Sequence, residues 1–132
     1  MDYGPNPFVT NINWDTIQNN YYRSTLWTAE HLQIMLISLP PGRRSDVEIN
    51  SSAQFINIVE GQAVIESGIN RDNLDFRVRV SDGYAIMLAA NTWHRFYNIG
   101  ISPIKLYVIY GPPQWPEGTE VETLENGENG TL

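Results

Sequence analysis

The sequence predicts an all-β domain, a sandwich or barrel of short strands. Apolar residues recur with period two wherever the pattern is legible. Gly, Pro, Asn and Asp interrupt these runs at short, regular intervals. No long stretch carries apolar residues at helical spacing. Together these features favour two facing sheets or a closed barrel over any helical architecture.

Asp15 to Tyr21 is the one segment with room for a helical turn or two. Leu32 to Leu39 is an apolar run that stops at Pro40-Pro41-Gly42. Phe55 to Val59 leads through Glu60-Gly61 into Ala63-Val64-Ile65, the pattern of a hairpin. Phe76, Val78 and Val80 alternate with Arg77 and Arg79, predicting a half-buried strand with its arginines in water. Tyr84 to Leu88 follows the turn Ser81-Asp82-Gly83, and Trp93 to Ile99 follows Ala90-Asn91. Ile104 to Tyr110 ends at Gly111-Pro112-Pro113.

The chain has 132 residues, of which 42% are hydrophobic and 17% charged, enough for one domain with a core. The expected organisation is a barrel over 1–118, including an amino-terminal strand segment, and an acidic disordered tail over 119–132. From Glu117 onward stand Glu117, Glu120, Glu122, Glu125 and Glu128, among Gly and Asn and without Lys or Arg. The net charge of -7 disfavours nucleic acid and anionic membranes as partners. With no Cys, disulfides, thiolate metal sites and cysteine nucleophiles are excluded. No apolar run reaches bilayer-spanning length and no signal pattern opens the chain, so a cytoplasmic location is expected.

Two spaced patterns carry a family resemblance. Gly42, Glu48, Asn50, Gln54 and Gly61 stand at the spacing G-x5-H-x-H-x3-E-x6-G. Gly83, Ala89, Asn91, His94 and Asn98 stand at the spacing G-x5-P-x-G-x2-H-x3-N. In both position and order the chain resembles the cupin superfamily over roughly 8–116. It is most similar to small bacterial cupins labelled mannose-6-phosphate-isomerase-like. The resemblance implies a double-stranded β-helix, the cupin jelly-roll barrel, and a homodimer; the apolar segment Phe8 to Ile12 is the candidate strand to add to a neighbour's sheet.

It also implies a cavity site in which Glu48, Asn50, Gln54 and His94 hold a divalent metal (Mn, Fe, Zn or Ni). The departures matter as much. The family's common ligand set is three His and one Glu, whereas these positions supply one Glu, two amides and one His. Amide oxygens are weak donors for such metals, so the site is expected to be weakened or lost. Residues i and i+2 of a strand share a face, which sends Glu48 and Asn50 to the same side. Glu48 and His94 are the candidate catalytic acid–base pair. Asn50 and Gln54 serve equally well as amides closing hydrogen bonds inside the barrel.

The remaining candidates have plainer explanations. His31, in Glu30-His31-Leu32, reads as a surface or packing histidine. Arg43 and Arg44 suit a solvated turn better than an anion-attracting mouth. Trp14, Trp27, Trp93, Tyr107 and Trp115 are core or interface material, with one or two lining the cavity. The expected function is binding of a small polar molecule in the cavity. The alternative is a metal-dependent isomerase, lyase or dioxygenase acting on a sugar-like or carboxylate substrate; the sequence does not decide whether the protein is an enzyme.

Overall fold

The computed structural model describes residues 1–124. Helix α1 (Ile12–Gln18) precedes ten strands: β1 (Arg23–Thr28), β2 (Gln33–Leu39), β3 (Glu48–Ile49), β4 (Ala53–Glu60) and β5 (Gln62–Gly68), then β6 (Phe76–Ser81), β7 (Ala85–Leu88), β8 (Trp93–Asn98), β9 (Ile104–Gly111) and β10 (Glu120–Val121). They form a six-stranded sheet in the order β10-β1-β2-β9-β4-β7 and a four-stranded sheet in the order β3-β8-β5-β6. Every pairing between these strands is antiparallel. This is the expected all-β jelly roll.

The core lies between the sheets. Met35, Ile56, Ile58, Leu106 and Val108 come from the larger sheet, and Ala63, Ile65, Val80 and Phe96 from the smaller. Their alternation along each strand is the period-two pattern of the sequence, now seen as one buried face per sheet. Chain crossing between the sheets depends on the β4–β5 turn. Gly61 has φ +116°, and a Cβ there would meet the Ile104 Cα at 2.9 Å, so a larger residue is excluded by both backbone and space. Asp82 pins this turn by accepting a hydrogen bond from the Gly61 amide at 2.9 Å.

Four expectations change. Phe8 to Ile12 is not a strand: Asn11 accepts a hydrogen bond from the Trp14 amide at 3.0 Å and caps α1, so the chain turns helical there. The helix begins three residues before the expected Asp15. The acidic end is not a free tail from 119: Glu120 and Val121 pair with Ser24 and Arg23, and the Leu124 side chain is buried in the core. Apolar side chains at 121 and 124 offset the ordering entropy that the composition suggested would prevail. The rest of the expected tail, 125–132, lies outside the described residues. Finally, on β6 only Val80 is buried, while Phe76 and Val78 stay exposed. Their facing is as the alternation predicts, in register with Ser67 and Ile65, but β6 is the edge of its sheet.

On the outer face of the smaller sheet Glu66 is buried between two arginines. Arg77 on β6 and Arg95 on β8 each place Nε at 2.8 Å from one of its carboxylate oxygens. Opposite charges on three adjacent strands, directly cross-registered, lock that sheet's order. Neither arginine faces the barrel interior.

Candidate functional site

Between the sheets lies a cavity of about 30 Å³, space for roughly two waters. Its polar lining is Tyr22, Arg23, Ser45, Glu48, Gln54, His94 and Tyr110, and its apolar lining includes Ile37, Ile56, Phe96, Leu106 and Val108. Glu48 and His94 are direct cross-strand partners on β3 and β8, so their side chains leave the sheet on the same side. Gln54 enters from the larger sheet, registered with Tyr110. Three of the four expected residues thus share the cavity. Asn50 does not line it: it is buried, its carbonyl accepts from the Asn91 amide at 2.7 Å, and its side-chain Nδ2 has no hydrogen-bond partner.

The group that the sequence reading missed is Arg23. It stands on β1, in the sheet opposite Glu48, and is only 3% exposed. Its Nη2 donates to Glu48 Oε2 at 2.9 Å. The guanidinium carbon lies 4.0 Å from the Trp115 ring centre and 5.3 Å from that of Tyr22, an aromatic cradle that compensates a buried cation. Its Nη1 closes no hydrogen bond of ordinary geometry, although the Tyr110 hydroxyl also interacts with the guanidinium.

Local structure explains how Trp115 reaches the guanidinium. Buried Gln33 accepts through Oε1 from the amides of Gln114 and Trp115, at 3.1 and 3.0 Å. Its Nε2 donates to the Trp115 carbonyl at 2.9 Å. One side chain therefore holds the segment after β9 against the barrel. The Trp115 indole then donates to the Tyr110 hydroxyl at 3.3 Å.

Burial pushes the imidazolium of His94 below the ordinary histidine value. The Glu48 carboxylate and the Thr92 carbonyl oppose that shift, and the Arg23 charge adds to it. His94 is therefore neutral near pH 7. Its Nδ1 lies 3.3 Å from the Thr92 carbonyl, an acceptor only, so Nδ1 carries the proton and Nε2 keeps its lone pair. Burial also pushes the phenols of Tyr22 and Tyr110 up, with the Arg23 charge pulling both the other way.

A divalent cation fits this donor set poorly. Among the described residues no three of His, Cys, Asp and Glu converge. The one carboxylate in the cavity is engaged by a guanidinium whose charge opposes a second cation.

The other singled-out residues sit elsewhere. His31 is a surface residue, 3.3 Å from the equally exposed Glu30. Arg44 packs over the Tyr97 ring at 4.6 Å, and neither it nor Arg43 lines the cavity. Asn98 is a structural pin: fully buried, it donates to the carbonyls of Leu39 and Ser102 and accepts from the Gly100 amide.

Comparison with known proteins agrees with this fold. Residues 35–110 match the family model described as the cupin domain. The uncharacterized protein YrkC of Bacillus subtilis is 46% identical over 123 residues, covering 92% of this chain and 66% of its own length. The chain thus spans about two thirds of that relative. The crystal structure of BH2720 from Bacillus halodurans is 46% identical and superposes with a TM-score of 0.90, covering 92% of this chain and 93% of that one. An RmlC-like cupin from Methanocaldococcus jannaschii, with a double-stranded β-helix, is similar in fold alone: 21% identity, TM-score 0.60, 68% of this chain and 78% of that one.

Proposed function

The chain belongs to the cupin family, and from that premise we propose that it binds a small polar ligand in the barrel cavity, with the family's divalent-metal site weakened or absent. The observation that carries this reading is the Arg23–Glu48 ion pair set across the cavity from one sheet to the other. It puts a resident positive charge beside the carboxylate that would otherwise ligate a metal. Glu48, Gln54, His94 and Arg23 still offer hydrogen-bond donors and acceptors in a mainly apolar pocket, the usual composition of a ligand site. The volume favours a molecule of few atoms over a sugar.

The test is a melting-temperature screen with small amides, acids and hydroxy compounds, alongside elemental analysis of protein purified without an affinity tag. A ligand at a hundred times its Kd adds about 2.7 kcal/mol of stability. Stoichiometric metal, with no response to any small molecule, would overturn the reading.

We also infer a homodimer and a cytoplasmic location. Pro7, Phe8, Val9, Ile12, Leu26, Trp27 and Ile34 border a surface recess whose apolar character suits a second copy. No helix among the described residues is long and apolar enough to cross a membrane. Light scattering at micromolar concentration tests the assembly, a monomer mass counting against it.

A further inference from the structure

Resting on the ligand-binding reading above, we propose that Arg23 is the anchor of the cavity, and that its ligand is a small uncharged molecule bearing a carbonyl oxygen beside an N–H or O–H donor. Three observations converge on that class.

The first is the unpartnered nitrogen. Arg23 lines the cavity, is almost fully buried, and uses Nη2 on Glu48 while Nη1 closes no hydrogen bond. The Tyr110 hydroxyl lies beside the guanidinium but does not close a hydrogen bond of ordinary geometry on Nη1, and a buried charged donor left so is costly. A ligand oxygen on Nη1 supplies the missing acceptor, and a guanidinium polarises a carbonyl well.

The second is charge. Arg23 and Glu48 cancel, and His94 is neutral, so the wall of the cavity sums to zero. A carboxylate ligand would bring an uncompensated negative charge next to Glu48. A cationic ligand would meet the guanidinium. Either leaves a buried net charge, whereas a neutral polar molecule does not.

The third is the opposite wall. His94 Nε2 keeps a lone pair because Nδ1 faces the Thr92 carbonyl. Glu48 still has Oε1, and Gln54 both accepts and donates. These acceptors call for N–H or O–H groups on the ligand. A primary amide meets both walls at once, and one of three heavy atoms is of the size that this volume admits.

The experiment compares formamide with formate, which have the same heavy-atom count and differ in charge. Each is titrated into ¹⁵N-labelled protein while the Arg23 guanidinium and Trp115 indole resonances are followed. Formamide is expected to move both and to bind at least tenfold more tightly than formate. Glu48→Gln leaves the guanidinium unneutralised, and the preference should reverse at least tenfold toward formate. Arg23→Gln should abolish formamide binding.

Formate binding as well as formamide in the wild type would overturn the assigned ligand class while leaving a small-ligand cavity intact. Retention of formamide by Arg23→Gln, or an unchanged preference in Glu48→Gln, would overturn Arg23 as the anchor. If neither probe moves any resonance of Arg23, Gln54, His94 or Trp115, this inference and the ligand-binding reading fall together. Should Arg23→Gln not fold, the wild-type comparison and Glu48→Gln still decide the matter.

Discussion

Arg23 and Glu48 lie 25 residues apart and in different sheets, yet Nη2 of one stands 2.9 Å from Oε2 of the other. The pair is both a tie between the two layers and the polar centre of the cavity. Its two roles separate in the way each partner responds to removal.

Glu48→Leu should cost about 3 kcal/mol in urea denaturation, because it strands a buried guanidinium. Adding Arg23→Met to that variant should recover most of the loss, since an apolar pair of similar volume carries no desolvation cost. Additive losses in the double variant would show that the two side chains do not act as a unit.

Metal binding should respond in the opposite direction. Calorimetric titration of Zn or Mn into the wild type should show weak uptake. Arg23→Gln frees the Glu48 carboxylate and removes the opposing charge, so affinity should rise at least tenfold. No gain in that variant would mean that the guanidinium is not what disfavours the metal.

The buried imidazole sets a pH dependence of known sign. The unfolded chain takes up a proton at His94 near the ordinary value of 6.5, while the folded chain does so only at lower pH. In that interval the unfolded state holds more protons, so stability falls as pH drops from 6.5 toward the folded value. Above 6.5 this contribution is fully present. His94→Gln should flatten that part of the stability profile.

The docked end of the chain gives a fourth test. Leu124→Ala should lower stability by about 2 kcal/mol, the usual loss for a buried leucine cut to its Cβ. Truncation after Gly118 should cost more, since it also removes the strand beside Arg23 and the acceptors for the Tyr22 and Thr25 amides. An unaltered unfolding midpoint in either variant would contradict the packing described above.

Much of the architecture was legible because strand alternation and turn residues are local signals. Glu48 and His94 came from motif spacing, and their register pairing follows from the fold those motifs mark. Arg23 was not legible, although it is the only charged residue between Asp15 and Glu30. Nothing local distinguishes an arginine in water from one stacked beneath a tryptophan 92 positions later. The first four residues of β1 are all buried, so that strand lacks the alternation that identifies the others. β10 and Leu124 were hidden by composition: the glutamates dominated a segment whose two apolar side chains decide its position. Gln54 stood at the right place for a ligand, but only the folded arrangement of the strands separates it from Asn50, which stays outside the cavity.

Edge strand β6 carries a consequence for colloidal behaviour. Its outer rim presents Phe76 and Val78 beside an open hydrogen-bonding ladder, which is a template for pairing with another chain. Arg77 and Arg79 alternate with those residues and stand as gatekeepers against stacking. Arg77 is partly neutralised by Glu66, which leaves Arg79 as the stronger deterrent. Two copies meeting edge to edge bring these like charges together, and dissolved salt weakens that repulsion. Precipitation of this acidic protein should therefore be governed by a pair of basic side chains, with Arg79→Val hastening it and high ionic strength narrowing the difference from the wild type.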